Sequence, residues 1–276
     1  MRVSVIIPSK GCEYIKYAFT GLRNQTISSF EVILVIKDCV PRNVEKLCQK
    51  YSLNCTIVEQ EKGYVTHALN IGKREAGGDV LVFTDDDVII LSKWLERYKK
   101  LHIIYRDVAG ISSRDIYIDL EKRKIMRTPD DKILIKLYRW FIRPWLETPH
   151  PHLRKYRLGV YLTKRLNIAH GPFIPDKTCY SLPLRGVNMS FKREHVQDIW
   201  FPEHYMLKRA PGFEQHFGLQ IILKGFDTIY VPNNPVLHIA RSESLSRTRY
   251  KEELKREFKI MRGLYKELLK KYNTDI

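Results

Sequence analysis

An α/β fold built on a mostly parallel sheet is predicted by three features of the first hundred residues. Short apolar runs recur at close spacing, helical stretches fall between them, and glycine or proline marks the joints. Val3–Ser4–Val5–Ile6–Ile7 reads as a buried strand ended by Pro8. Tyr14 to Asn24 fits a helix, and Phe30 to Ile36 a second buried strand. Val44 to Tyr51 is a helix candidate, and Cys55 to Val58 a short third strand. Val65 to Glu75 predicts a helix stopped by Gly77 and Gly78. Val80 to Thr84 is the fourth strand. This alternation puts helices on both faces of the sheet and ligands at the carboxyl ends of its strands. Pro8, Asp38 and Asp85 to Asp87 all follow strands, so they gather along one edge.

The acid run Asp85–Asp86–Asp87 carries most of the chemical information. An apolar strand delivers three carboxylates to the sheet edge, where they repel one another and raise each other's pKa. A cation among them relieves that repulsion. Strand alternation sends Asp85 and Asp87 one way and Asp86 the other, so the working pair is Asp-x-Asp. Two hard oxygen ligands suit Mg²⁺ or Mn²⁺ and leave coordination positions for substrate phosphates. The plainer reading is a solvated acidic turn. No Gly-x-Gly-x-x-Gly or Gly-x-x-x-x-Gly-Lys-Ser/Thr occurs, which disfavours the usual dinucleotide fold and phosphate-cradling loop.

Bulk composition narrows the class. The 276 residues can bury a substantial core, and 44% hydrophobic content argues against disorder. Lys and Arg number 48 against 31 Asp and Glu, a net charge of +17 that attracts anions such as nucleotides, phospholipid headgroups or nucleic acid. Five cysteines at 12, 39, 48, 55 and 179 form no Cys-x-x-Cys pair, which disfavours structural zinc. Their odd, scattered set predicts reduced thiols and a cytoplasmic protein. The first apolar run is too short for a signal sequence, and no stretch of about 20 apolar residues is present to span a membrane.

The ordered series Val3–Ser9, Leu22–Thr26, Glu31–Val35, Gly63, Ala68–Gly72, Gly78–Asp79 and Phe83–Asp87 resembles the family 2 glycosyltransferases of GT-A fold. The resemblance implies a Rossmann-like central sheet, a nucleotide-sugar donor and an inverting transfer to a hydroxyl. It implies nucleotide contacts from Pro8, Ser9, Asp85 and Asp86, with Asp85 near the ribose and Asp87 holding the metal on the diphosphate. The family's Asp-Asp-Gly-Ser after the second strand is replaced by Ile36–Lys37–Asp38–Cys39, so Asp38 takes over contact with the base one or two positions late.

The resemblance continues downstream. Arg185 to Arg193 is similar to the acceptor side of the cleft, where Asn188 bonds either a sugar hydroxyl or a neighbouring backbone. Gly212 to Phe217 precedes a helix over Gly218 to Lys224, stopped by Gly225. The family carries Glu-Asp here, the second acid being the catalytic base. Counting back from Gly225, Phe213 replaces the first and Glu214 takes the base position, and Phe217 and Gln220 then also fall where the family places an apolar and a long polar residue. A shift of one would put Gln215 there instead, and a neutral amide cannot accept a proton. A helix N-terminus is expected to lower the Glu214 pKa and keep it ionised. His238, in Pro-Val-Leu-His-Ile, matches a family histidine that completes the metal site, and tilts the preference toward Mn²⁺. A packed histidine is the alternative.

Two further segments bear on partners. On a helix, Lys132, Lys136, Arg139 and Arg143 form a basic stripe beside Leu134, Leu137, Tyr138, Trp140 and Phe141, and Pro144 ends it. Residues 131–157 thus read as an in-plane membrane contact or as a core helix with a solvated basic side. At the tail, Tyr250, Leu254, Phe258, Met261, Tyr265 and Leu268 step by four, four, three, four and three, one apolar seam within a helix over Ser244 to Tyr272. It packs on the main domain or on a second subunit, giving a homo-oligomer.

The chain divides on function into 1–115 for the donor, 116–240 for the acceptor and 241–276 as a helical tail. The leading reading is a glycosyltransferase using Mn²⁺ or Mg²⁺ and a UDP-linked donor, with a glycan or lipid-linked acceptor. It would be cytoplasmic, or peripheral on the inner face of the cell membrane. A sugar-phosphate nucleotidyltransferase would need more than the single glycine of Pro8 to Cys12. A degenerate transferase that binds nucleotide without turnover is one alternative. A basic nucleic-acid-binding protein is another, though no nucleic-acid motif is seen.

Overall fold

The computed structural model describes residues 1–126, 133–172, 175–241 and 251–272. Four parallel strands open the chain: β1 (Val3–Lys10), β2 (Phe30–Lys37), β3 (Cys55–Glu59) and β4 (Val80–Phe83). Between them run α1 (Ile15–Arg23), α2 (Pro41–Lys50) and α3 (Val65–Glu75). Alternating side chains of β1 serve opposite cores. Val3, Val5 and Ile7 pack with Phe19 of α1 on one face, and Ile6 packs with Leu69 of α3 on the other. Pro8 does not end β1. Pairing with β4 stops at Ile6 opposite Phe83, so Pro8 has only β2 beside it, at Val35, where a missing N–H is tolerated.

After β4 the chain bends through the acid run into β5 (Val88–Ile89), α4 (Trp94–Ile104), β6 (Val108–Ser112), β7 (Asp115–Asp119) and β8 (Lys124–Ile125). Two short helices follow, α5 (Ile133–Leu137) and α6 (Arg143–Leu146), joined by a π-helical turn over Tyr138–Ile142. Pro144 is therefore the second residue of a helical turn and terminates nothing. A 3₁₀ segment, Pro151–Tyr156, leads to β9 (Val160–Leu162), β10 (Ile168–His170), β11 (Cys179–Tyr180) and β12 (Met189–Lys192). The chain closes with α7 (Arg193–Val196), α8 (Phe213–Leu223), β13 (Asp227–Tyr230), β14 (Val236–Ile239) and α9 (Lys251–Lys271). α8 thus begins at Phe213, five residues before the predicted start.

The main sheet has eight strands in the order β11-β13-β6-β12-β4-β1-β2-β3, with β12 antiparallel between β4 and β6. It takes strands from both sides of residue 115. A second sheet, β5-β14-β7-β8, lies beyond the acid run. Phe83, Phe191, Phe201 and Phe217 pack ring on ring under one face of the main sheet.

Three expectations need correction. Cysteine reduction is the first: Cys12–Cys39 and Cys48–Cys55 are disulfides, and Cys179 is free. Pairs 27 and 7 residues apart meet because β1 lies beside β2 and α2 packs on β3, bringing the Cα atoms to 5.8 and 6.2 Å. The second concerns the basic stripe. Arg143 is buried, bonded to Glu147 at 3.0 Å and to the Tyr161 hydroxyl at 2.6 Å. Lys132 lies outside the described residues. This segment is no core helix either, because Leu134, Trp140, Phe141 and Trp145 are 80, 62, 63 and 85% exposed. The third is the tail seam. Met261, Tyr265 and Leu268 are buried as expected, but Phe258 is exposed and Glu257 is buried in its place. Tyr250 lies outside the described residues. Among the described residues no helix is long and apolar enough to cross a membrane.

Candidate active site at the sheet edge

The chain leaves β4 at Phe83, so Asp85 lies past the strand and Asp86 and Asp87 lie in a bend. The expected division of faces nonetheless results. Asp86 turns back toward β1, where its Oδ2 accepts from the Ser9 hydroxyl at 2.5 Å. Asp85 and Asp87 turn toward β14, and with His238 they bring one potential ligand atom each to within 4.8 Å of one another. His238 is placed by β14, paired on one side with Val88 of β5 and on the other with Tyr117 of β7. Its ring stacks on Tyr117 with centroids 4.8 Å apart.

Two residues the sequence did not flag complete the cluster. Asp115 opens β7, and its Oδ2 lies 3.1 Å from His238 Nδ1. That leaves Nε2 facing the acids, 3.3 Å from Asp87 Oδ1. Arg241, two residues past β14, donates to Asp87 at 2.5 Å and to Asp86 at 2.7 Å, with Tyr14 beneath its guanidinium at 4.4 Å. Arg185 holds Asp115 at 3.3 Å and the Tyr117 hydroxyl at 2.9 Å.

The electrostatics follow from burial and pairing. Burial, followed by the neighbouring Asp87 charge, pushes Asp85 up to about 7. Burial also raises Asp86, in spite of Ser9 and Arg241. Burial opposes charge on Asp87, but His238 and Arg241 outweigh it and hold its pKa low. For His238 burial favours the neutral ring, yet Asp115 and Asp87 prevail and push it up to about 10. The donor set fits a divalent cation. Asp87 Oδ1 is buried without an aligned hydrogen bond, and two carboxylates with one imidazole are ligand types that Mn²⁺ accepts. Asp115 would fix the imidazole orientation from behind.

Glu214 is the second residue of α8, half-buried, with Oε2 enclosed and unpaired. Desolvation outweighs the helix N-terminus, so its pKa is pushed up to about 7, opposite to the expected lowering. Arg185 and Asp85 are both near enough to act on it, lowering and raising it respectively. Gln215 is fully buried and donates to the Pro183 carbonyl at 2.6 Å. Phe213 packs on Phe201 and fills the space that a side chain at Gly186 would need.

Asn188 does not reach the cleft. It is fully buried, and its Oδ1 accepts from Trp94 Nε1 at 3.0 Å and the Tyr98 hydroxyl at 2.6 Å. Its Nδ2 donates to the carbonyls of Arg114 at 3.0 Å and Asn234 at 2.9 Å. No donor or acceptor is left for a sugar, so the backbone-bonding alternative is the one observed. Asp38 stands past the end of β2 with φ of 56°, exposed, 3.7 Å from Lys10 Nζ. Pro8 and Ser9 lie on the same rim, on the free side of β1.

Relatives agree with this architecture. The profile of "Glycosyl transferase family 2" matches residues 4–160. An uncharacterized glycosyltransferase of Haemophilus influenzae is 33% identical over 97 residues, 34% of this chain and 32% of that protein. The match therefore spans about a third of that curated relative. Among solved structures, S. aureus TarS 1-349 in complex with UDP-GlcNAc superposes with a TM-score of 0.63 at 17% identity. That match covers 100% of this chain and 68% of the other. The mannosyltransferase PcManGT from Pyrobaculum calidifontis, in complex with GDP-Man and Mn²⁺, gives 0.56 at 16% identity, covering 97% of this chain and 69% of the other. At these identities the two structures speak for the fold alone, which is GT-A. With more than half its length matched by the family profile, the chain belongs to glycosyl transferase family 2.

Proposed function

We propose that this chain is a metal-dependent inverting glycosyltransferase that moves a sugar from a UDP-linked donor to an acceptor hydroxyl. One observation carries the reading: Glu214 is close enough to Asp85 for that charge to act on it, and Asp85 belongs to the Asp85–Asp87–His238 group. On this reading a base on α8 would work beside a cation held at the end of β4 and on β14.

A divalent cation held by Asp85, Asp87 and His238 would neutralise charge on a departing diphosphate. The remaining work falls to the chain. Pro8, Ser9 and Asp38 line the rim where the nucleotide would lie, with Asp38 toward the base and Asp85 toward the ribose. Asp86 keeps that rim in place through Ser9 and Arg241. Glu214 accepts the proton of the incoming hydroxyl as its oxygen bonds the anomeric carbon and the carbon–phosphate-oxygen bond breaks on the opposite face. One displacement inverts the anomeric configuration.

On this reading residues 1–115 bind the donor, 116–240 the acceptor, and 241–276 form the tail. The acceptor is a glycan or a lipid-linked saccharide. A lipid surface is favoured by the exposed apolar side chains of Leu134, Trp140, Phe141 and Trp145 on a protein of net charge +17. The test is a panel of UDP-sugars with Mn²⁺, read as UDP released without acceptor. Slow hydrolysis of one sugar is expected. A panel with no hydrolysis and no calorimetric UDP binding would refute the proposal.

A further inference from the structure

We propose that α9 is a positioning strut for the proposed base, with Glu257 and Tyr265 fixing the loop that delivers Glu214. The inference rests on the assignment of Glu214 above. The loop Arg209–Gly212 leads directly into α8 and has an unusual backbone. Ala210 has φ of 48° and Gly212 φ of 91°, so two of its four residues are left-handed. For a non-glycine residue such as Ala210 that conformation persists only when its surroundings enforce it.

The enforcing groups both come from α9. Glu257 Oε2 accepts from two consecutive backbone N–H groups, Arg209 at 3.0 Å and Ala210 at 2.8 Å. Tyr265 donates its hydroxyl to the Gly212 carbonyl at 2.7 Å. The two residues are eight apart, just over two turns, and so share one helix face. The fit is mutual. A Cβ at residue 212 would stand 2.6 Å from the Tyr265 hydroxyl and 2.5 Å from Ile168.

Packing alone does not require a carboxylate at 257. Met261, Leu268 and Leu269 already bury the apolar face of α9. A buried carboxylate is costly unless something repays it, and an aliphatic residue at 257 would pack without that cost. Two charge-assisted bonds to the loop are the repayment. The consequence lies two residues on. The Gly212 carbonyl accepts from His216 N and the Ala210 carbonyl from Phe213 N, so the loop sets the first turn of α8. Glu214 is on that turn, near enough to Tyr265 for its charge to act on the phenol.

The test compares Tyr265→Phe and Glu257→Gln with the unsubstituted chain. The readouts are UDP release from the sugar hydrolysed fastest in the panel, calorimetric UDP binding with Mn²⁺, and hydrogen exchange over residues 209–216. We expect turnover per UDP-binding site to fall about tenfold or more in each variant. The UDP Kd should change less than about twofold, and exchange over 209–216 should accelerate. Damaged folding would act differently, lowering the binding stoichiometry while each remaining site kept its turnover. That pattern, or native turnover and exchange in both variants, overturns the inference. Glu214→Gln separates the two layers. Native turnover in that variant refutes the base assignment and the strut with it. Loss of turnover there, with Tyr265→Phe and Glu257→Gln unaffected, refutes the strut alone.

Discussion

Replacing Glu214 by glutamine should abolish transfer and make the folded protein more stable, and the two effects should separate with pH. Burial raises its carboxyl from 4.5 to about 7. That gap corresponds to about 3 kcal/mol by the linkage of pKa to stability, and partial exposure reduces it to about 2 kcal/mol. The sign is that of a raised acid. The neutral form suits the fold, so wild-type stability is fully present below pH 4.5 and is lost as pH rises through about 7. Glutamine never ionises. At pH 8 the variant should therefore melt roughly 5 °C above wild type, and at pH 4.5 the two should nearly coincide. Activity runs the other way. A base near 7 is about one-tenth ionised at pH 6 and about nine-tenths at pH 8, so wild-type kcat/KM should rise about tenfold between them. In the variant kcat should drop by about two to four orders of magnitude with UDP binding retained. Calorimetric melts at both pH values and UDP release measure this together. A stability gain that is the same at both pH values would refute the desolvation argument. Turnover within about threefold of wild type would refute the base.

The Asp85–Asp87–His238 cluster and the apolar patch give three more tests. Asp87→Ala should eliminate the dependence of UDP binding on Mn²⁺, read by calorimetry with and without the ion, because it removes a ligand and frees Arg241 from one of its two acids. Asp115→Asn leaves Asp85, Asp87 and His238 in place, yet it should weaken Mn²⁺ binding about 10- to 100-fold by loosening His238, measured as free Mn²⁺ by electron paramagnetic resonance. Replacing Trp140 and Trp145 by serine should cut cosedimentation with anionic phospholipid vesicles severalfold and leave UDP binding intact. Equal partition of wild type and variant with anionic and zwitterionic vesicles would sink the membrane reading.

The parts of this protein that were legible from its sequence are those specified by local pattern. Apolar runs located the parallel strands, and the predicted bounds of α3 were the observed ones, because hydrophobic periodicity and the Gly77–Gly78 stop act within a few residues. Three acids after a buried strand pointed to the acidic cluster that His238 joins. Parts specified by distant partners were not legible. Asp115 meets His238 only because β7 pairs with β14 across more than a hundred residues, and Arg241 reaches back over a similar span to Asp86 and Asp87. The cysteines show the same blindness, since spacings of 27 and 7 look scattered until strand order is known. Asn188 was misjudged for another reason. Sequence does not distinguish an amide that binds a ligand from one that satisfies buried backbone.

The tail helix shows best how tertiary context overrides a helical wheel. A seam drawn through Phe258 is one position off, because the chain turns Glu257 inward and leaves the phenylalanine half in water. Burying the remaining exposed part of the phenylalanine instead would gain about 1 kcal/mol of hydrophobic stabilisation. It would also leave two backbone N–H groups of a left-handed loop without an acceptor, at about 1–3 kcal/mol each. Those two terms decide the register in favour of the carboxylate. The same comparison explains the elevated Glu214 pKa. A helix N-terminus is worth about 1 kcal/mol to an anion, and desolvation outweighs it together with the Gln215 bond, so the acid stays close to half-protonated at neutral pH. A base poised in that way can take a proton from an alcohol and return it to water.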